Sequence, residues 1–542
     1  MLRLHQLVLP LDGAARFDAD KLRRLCAARL RVPESRVAFA KVQKRSVDAR
    51  DKGNVHFSLT ADVLLSDADA RAEAAVAAKF KPNQVAVVAG SPNEEAADVF
   101  HLAHEPWPRT ASRPIVVGAG PAGLFCALAL AVRGAHPILL ERGQPVEKRA
   151  GDVESFESGA PLNPESNVLF GEGGAGAFSD GKLTCGLNSP HIRTVLQTLY
   201  ACGAPEDILT AQRPHIGTDE LRVVLTHIRE KLLALGAEVR FGHTLTGLVL
   251  RGGRVAAARV LHEGAEEELA AGRVFLAIGH SARDTYQWLY ELGLPMQQKP
   301  FAVGVRIEHG QSMVDRSQYG RAAGHPALPP AEYKLNAPTP DGRGVYTFCM
   351  CPGGRVICAA SEPDGLNING MSLHARDGEN ANAAVLVGVR PEDFGSGHPL
   401  AGVAFQRGIE RAAHHAVGGF RAPCQRVGDF LAGRESAAFG EVQPSYRPGV
   451  TPGDVRCCLP EFVVGNLRLA LPLLGRRLTG FDTPDALLTA PETRSSAPLR
   501  MLRNGRRESP LGGLFPLGEG AGYAGGIISA ALDGLAAGME VY

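Results

Sequence analysis

The sequence predicts an α/β protein whose parallel sheet is assembled from segments far apart in the chain. Three observations carry this. Residues 114–132, PIVVGAGPAGLFCALALAV, form an uncharged run in which a β-prone stretch meets Gly118-x-Gly120-x-x-Gly123 and then a helix-prone stretch. A second apolar stretch, 138–140, ends on the acid Glu141. Near the carboxyl end, GLFPLGEGAGYAGGIIS at 513–529 supplies another strand, glycine turn and helix start.

Taken in order, the first hundred residues alternate short elements. Residues 4–9 read as a strand, 19–30 as a helix opened by an acid, 37–47 and 55–65 as strands, 70–79 as a helix and 85–88 as extended. This βαββαβ order predicts a small two-layer, ferredoxin-like α/β domain over 1–103. Its only cysteine, Cys26, excludes an iron–sulfur cluster held by its own ligands. The stretch HEPWPRTASR at 104–113 is polar and proline-rich and reads as a linker.

The run at 114–132 has the length of a membrane span, since about 20 apolar residues cross a bilayer core as a helix. Gly118, Gly120, Pro121 and Gly123 crowd its first half, where a lipid-exposed helix needs unbroken backbone hydrogen bonds. The spacing instead fits a dinucleotide turn. The first glycine permits the tight turn, the second lets backbone approach a pyrophosphate, and the third lets helix pack on strand. The free amides of the helix start then face the phosphates. Glu141, twenty-three positions after Gly118, stands where a carboxylate accepts from both ribose hydroxyls. An acid there disfavours a 2′-phosphate, which points to FAD or NAD over NADP.

The next landmark is FGEGGAGAFSDGKL at 170–183, whose glycines leave backbone amides uncovered and suit close approach to a flat ring or a phosphate. Thr218 opens an amphipathic helix to Leu235, residues 237–241 and 245–250 read as strands of an inserted sheet, and VFLAIG at 274–279 reads as a buried strand closing on glycine. Together these make 114–295 the first part of a cofactor domain. Residues 296–505, rich in turns and short mixed strands, read as a substrate (middle) domain. Residues 506–542 are the return: a strand at 514–517, a turn at Gly518 and Glu519, and a helix from about Gly526 that brings a second helix amino terminus to the ligand.

Composition bounds the function classes. The 542 residues are 45% hydrophobic and 21% charged with a net charge of +1, ordinary values for a globular protein with no general attraction to nucleic acid or membrane. The first 53 residues hold thirteen Lys and Arg against six Asp and Glu, a local +7. That excess is a solvated face or a surface for RNA or an acidic partner. The amino terminus, MLRLHQLVLPLDGAARFD, lacks the apolar core and cleavage site of a secretory signal, and the expected location is cytoplasmic. Ten cysteines are scattered without a CxxC pair or metal-ligand spacing, so the expected thiols are reduced and no metal is expected.

The motifs VVGAGPAGLFCALAL, LLERG, FGEGGAGAFSDGKL, FLAIGHSARD and LFPLGEGAGYAGGI together resemble FAD-dependent oxidoreductases with a glutathione-reductase-type flavin fold. More narrowly, YTFCMCPGGRVICAASE, NGMS, VQPSYRPGV and ETRSSAP resemble a little-characterised family of bacterial FAD-dependent dehydrogenases. The resemblance covers nearly everything from Pro114 onward. It implies an FAD-binding Rossmann-like domain with an inserted mixed α/β substrate domain. It also implies noncovalent FAD, with the pyrophosphate on Gly118, Gly120, Ala122 and Gly123 and the adenosine ribose on Glu141 and Arg142. Gly173, Gly174, Ser179 and Lys182 would line the isoalloxazine and ribityl chain, and Gly279 the adenine half. Gly518 and Glu519 would meet the ribityl or phosphate region, with Gly525, Gly526 and Ile527 at the pyrimidine edge. Many relatives of the wider fold carry Asp where Glu519 stands; the extra methylene leaves room for a mediating water.

Flavin does the electron transfer while protein groups orient substrate and tune the ring. Lys182 and Asp180 are the candidate catalytic residues, the first by charge beside the ring, the second by proton transfer. Arg283, Arg306, Tyr346, Tyr446 and Arg494 are further candidates to face the substrate. No CxxxxC pair follows the first flavin motif, and Cys349-Met-Cys351 is too close-set for a relaxed disulfide and reads as structural. No second strand-GxGxxG-helix unit is found between 150 and 505. NAD(P)H as a transient donor, the substrate itself and an electron-donor protein stay open as sources of electrons. The leading expectation is an FAD-dependent oxidoreductase acting on a small organic substrate. Its rivals are an RNA-associated flavoprotein using the basic first domain and a flavin-binding regulatory protein without turnover.

Overall fold

The computed structural model describes residues 1–14, 17–66, 69–89, 96–108 and 112–541. In the first unit Leu2–Pro10 pairs antiparallel with both His56–Leu65 and Val85–Val87, and Val37–Asp48 lies outside His56–Leu65. Leu2, Leu4, Leu7 and Leu9 are all buried although Leu4 and Leu7 are three apart, because a bulge between them, with Gln6 at φ 55°, returns the following leucines to the inner face. Asp18 caps Ala19–Leu30 by accepting from the Lys21 amide at 2.8 Å. Leu22, Cys26 and Leu30, each four residues apart, bury that helix against the sheet.

This unit is docked onto the rest. The Arg45 amide donates to the Thr210 carbonyl at 2.7 Å and the Gln212 amide to the Arg45 carbonyl at 2.8 Å, while Val55 is buried in the core of the middle domain. Of the expected linker, residues 109–111 lie outside the described residues, and 104–108 depart from the expectation of a free polar segment. Trp107 is buried between the guanidinium groups of Arg133 and Arg273, at 5.3 and 5.2 Å, and its amide donates to the Arg133 carbonyl at 2.7 Å. One aromatic ring flanked by cations outweighs the polar, proline-rich composition around it.

The second unit is built on a five-stranded parallel sheet in the order Leu514–Pro516, Val274–Leu276, Ile115–Val117, Ile138–Glu141, Glu238–Phe241. The uncharged run at 114–132 is therefore the central strand, a turn and the twelve-residue helix Pro121–Val132. Among the described residues no helix is long and apolar enough to cross a membrane. Glu238–Phe241, expected to belong with 245–250 in an inserted sheet, is instead the edge of the parallel sheet. The antiparallel excursion holds only Thr244–Arg251, Arg254–His262 and Ala265–Ala270.

Between the two halves of this unit lies a mixed seven-stranded sheet around Phe301–Gly310 and Asn380–Val389, covered by Ala401–Val417 and Glu461–Gly475. The chain comes back by residue 499, where Leu499–Met501 pairs with Met296–Gln298 and packs into the core beside the parallel sheet.

Candidate functional site

The site grows from the turn after the central strand. Gly118 has φ 97°, and a Cβ there would lie 2.4 Å from the Ala277 carbonyl oxygen, so only glycine fits. A Cβ on Gly123 would sit 1.8 Å from the Gly118 carbonyl oxygen, which is the close packing of helix on strand that the spacing predicts. Gly120 is the N-cap of Pro121–Val132, and no side chain caps its amides. Helix Ile527–Glu540 begins the same way, on Gly526 with no side-chain cap. The two helices run in the same direction, because Gly534 lies against Ala122 and Gly538 against Cys126. Two uncapped amino termini thus open toward one end of the pair, an arrangement that favours an anionic group.

The distant glycine segments converge on this turn. The Gly173 amide donates to the Ala119 carbonyl at 2.8 Å, and a Cβ on Gly174 would lie 3.2 Å from Gly120 Cα. A Cβ on Gly176 would lie 3.4 Å from Ile527 Cγ1, and one on Gly518 2.7 Å from Ala122 Cβ. Tyr286 ties the remaining edge, its hydroxyl donating to Gly520 at 2.8 Å and Gly279 at 3.1 Å. Side chains added at Gly279, Gly525 or Gly526 would meet nothing within 4 Å, so the seam keeps open space where three of the expected contacts stand. The seam fits a dinucleotide with a flat ring: bare backbone, two helix amino termini and room along the glycines.

Glu141 is buried and already engaged. Its carboxylate accepts from the amides of Ala119 at 2.8 Å, Gly143 at 2.9 Å and Gly171 at 3.0 Å. The expectation of a carboxylate free to take both ribose hydroxyls is corrected to that extent: three of about four lone-pair positions are used, and Glu141 holds the two glycine segments together. Arg142 departs further. It is gripped by Glu165 at 2.8 Å and Asp284 at 2.9 Å and lies 4.4 Å over the Phe170 ring. These groups form one wall of a cleft of about 690 Å³ whose other wall carries Ser361, Glu362 and Arg407 of the middle domain.

The segment 170–183 is held from beneath by Arg149, which sequence reasoning missed. This fully buried guanidinium donates to the carbonyls of Asn167 at 2.7 Å, Val168 at 2.9 Å and Glu172 at 2.6 Å. Ser179 turns inward, its hydroxyl donating to the Gly176 carbonyl at 2.8 Å and accepting from the Gly181 amide at 3.0 Å, so it shapes the turn. Asp180 is fully buried and accepts from Arg376 at 2.9 and 2.5 Å and from the Lys182 ammonium, which also donates to the Met350 carbonyl. Burial alone would raise the Asp180 carboxyl, but Lys182 and Arg376 outweigh it and hold the group below its ordinary value. A carboxylate pinned by two cations stays ionised, so its fit is as the group that positions Lys182, in place of the proton transfer expected for it. For Lys182 burial works against the charge, yet the negative groups beside it, the ionised Asp180 among them, outweigh it and keep the ammonium above its usual range.

At the carboxyl-terminal turn, the Gly518 amide donates to Asp533 at 2.8 Å and Asp533 is held by Arg503. Among the described residues no cation pairs with Glu519, and burial pushes its carboxyl up to about 7, opposed by the nearby Lys299 and the Gly526 amide. Of the other candidate substrate-facing residues, Arg306 is buried against Glu492 at 2.7 Å, and Tyr446 donates to the Phe420 carbonyl at 2.8 Å. Arg283 and Arg494 together grip the buried Glu410, each at 2.7 Å. Tyr346 alone is exposed. Arg376 and Glu410 carried no motif, and only long-range contact brings them in.

Residues 300–495 match a family model described as "FAD-dependent protein, C-terminal domain-like", and residues 1–64 match a domain of unknown function. An uncharacterized protein of Clostridium beijerinckii is 42% identical over 537 residues, covering 98% of this chain and 97% of its own. Among solved structures, the FrdA chain of E. coli quinol fumarate reductase aligns at 12% identity and TM-score 0.36 over 80% of this chain and 70% of its own. A geranylgeranyl bacteriochlorophyll reductase-like protein from Thermoplasma acidophilum aligns at 12% identity and TM-score 0.34 over 78% and 76%. The flavin-dependent brominase Bmp2 aligns at 13% identity and TM-score 0.30, over 55% of this chain and 61% of its own.

Proposed function

From the premise that this chain belongs to one family with its Clostridium relative and takes FAD as its cofactor, we propose that it is an oxidoreductase acting on a small organic substrate between the parallel-sheet unit and the middle domain. The observation that supports this best is the convergence of 118–123, 171–179 and 518–527 on one seam with two uncapped helix amino termini. We read the fold as a glutathione-reductase-type flavin domain with an inserted middle domain, preceded by a ferredoxin-like domain.

When bound, FAD supplies the two-electron chemistry. The chain's own residues then have separable tasks. Gly118, Gly120, Ala122 and Gly123 present backbone to the pyrophosphate. Glu141 fixes that turn against Gly171 and keeps one lone-pair position for a ribose hydroxyl. Gly173, Gly174, Gly525, Gly526 and Ile527 border the ring, and Gly279 the adenine half. Gly518 and Glu519 border the ribityl chain. Lys182, held charged by Asp180, would supply a fixed cation for a bound flavin, and Glu519, with its carboxyl pushed up to about 7, a group able to take or give a proton.

Anaerobic titration of the purified protein against NADH, NADPH and a set of small metabolites tests the reading. Bleaching of the flavin by at least one donor supports an oxidoreductase. A flavin that none of them reduces, while dithionite does, would favour the rival reading of a flavin-binding protein without turnover.

A further inference from the structure

Strand Val345–Cys351 pairs regularly with Asn380–Val389 up to Phe348, then slips, and the register resumes only at Cys351. At the slip Cys349 takes φ 42°, a left-handed conformation that costs a non-glycine residue energy and marks sites where geometry serves chemistry. Cys349 is half-buried and Cys351 fully buried. The Cys351 thiol donates to the carbonyl of Cys349 at 3.3 Å, and Arg306 reaches that carbonyl at 3.2 Å and the Cys351 sulfur at 4.0 Å. From the opposite side Lys182 holds the intervening Met350 carbonyl. Arg376 and Asp180 complete the charges facing the pair on one side, and Glu492, the partner of Arg306, on the other. Phe348 and Tyr346 leave exposed apolar surface on the same strand.

We propose that Cys349 and Cys351 form a thiol–disulfide exchange site, with Cys349 attacking, Cys351 resolving, and a small disulfide as substrate. Cys349 is half-buried with Lys182 and Arg306 on the backbone around it, cations that favour a thiolate, and Cys351 is fully buried behind it. The acidities agree in direction: the neighbouring Cys351 thiol, Lys182 and Arg306 together outweigh burial and hold the Cys349 thiol below its ordinary value, while that of Cys351 is pushed up. Residues two apart in sequence have Cα atoms no more than about 7 Å apart whatever the backbone does between them, the long end of what a disulfide spans, and strained disulfides of this kind are the labile ones.

The Cys349 thiolate attacks one sulfur of RS–SR, a new sulfur–sulfur bond forms, the old one breaks and RS⁻ leaves. The Cys351 sulfur then attacks that of Cys349, the second RS⁻ leaves, and the Cys351 proton passes to it. The substrate disulfide gains two electrons and the cysteine pair loses two; a second dithiol restores the pair by the reverse exchange. The exchange transfers no electrons through a flavin, although Lys182 serves both sites.

The test uses the full-length, FAD-containing protein carrying Cys185→Ser and Cys457→Ser, which removes the other accessible thiols. The probe is 5,5′-dithiobis(2-nitrobenzoate), used at about pH 6.5, where an ordinary thiol is almost wholly protonated. The expected result is rapid release of two thionitrobenzoate equivalents per chain with no aryl adduct retained. With Cys351→Ser, or Cys351→Ala if that variant does not fold, one equivalent is released and the adduct maps to Cys349. With Cys349→Ser the initial rate falls by about tenfold or more, to the level of a buried thiol. The proposal is overturned if the parent reacts no faster than free cysteine, if it retains a stable adduct on Cys349, or if Cys349→Ser keeps the parent rate.

Discussion

At the scale of single residues, charge is assigned by contact. Glu141 was expected to act on a ligand, yet it holds three amides from the two glycine segments. Glu141→Ala leaves those donors without their acceptor, and a hydrogen bond to a charged group contributes about 1.5–3 kcal/mol. The expected outcome is weaker FAD binding together with a lower Tm of the FAD-free protein, measured by flavin titration and thermal unfolding of the apo-protein. An unchanged apo-protein Tm would return Glu141 to a purely ligand-facing role. His309 shows the same logic for pH. It is 1% exposed, its Nε2 is 2.7 Å from the Phe481 carbonyl, and burial pushes its pKa down to about 4. Its folded value lies below the unfolded 6.5, so the unfolded chain binds the extra proton between these limits. Stability is therefore full above about pH 6.5 and falls as pH drops toward 4, by an amount on the order of 3 kcal/mol for this group. Denaturant unfolding of the native protein and His309→Gln at pH 7 and pH 4.5 should show a smaller pH loss in the variant; equal losses would remove His309 as a cause.

At the scale of elements, the two glycine-started helices are the feature that positions the site. A Cβ on Gly534 would lie 1.9 Å from the Ala122 carbonyl oxygen, so Gly534→Val forces Ile527–Glu540 away from Pro121–Val132. Overpacking of this kind costs about 1–3 kcal/mol, and here the cost falls on the paired amino termini. The expected result is a folded protein with reduced flavin content, read from the ratio of flavin to protein absorbance; full flavin content would mean that the pairing does not matter to the site. Much of this was legible in the sequence. Gly118, Gly120 and Gly123 announce their turn because steric necessity leaves a local signature, and the helix 19–30 was readable from Asp18 and its apolar spacing. Arg149, Arg376 and Glu410 were not, because a buried ion pair or a guanidinium among carbonyls is defined by partners far away in the chain. The edge strand 238–241 was misassigned for the same reason: its extended pattern is local, but which sheet it joins is not.

At the scale of the whole molecule, the basic first unit is tied to the rest by the backbone at Arg45 and by Val55 in the middle core. Removing residues 1–103 uncovers that apolar surface while deleting no residue of the seam. The truncated chain should have a lower Tm and a tendency to aggregate, with whatever remains folded still carrying flavin, as read by size exclusion monitored at protein and flavin wavelengths. A folded, flavin-free truncation would place the first unit in the cofactor site. The central claim is that distant segments of one chain, 118–123, 171–179 and 518–527, build a single noncovalent FAD site. Acid denaturation of the purified protein, with the released flavin identified and counted against the chain, tests it most directly. The account predicts FAD in the supernatant, approaching one per chain after reconstitution; FMN as the released species, or a colourless protein that cannot be reconstituted, would contradict it.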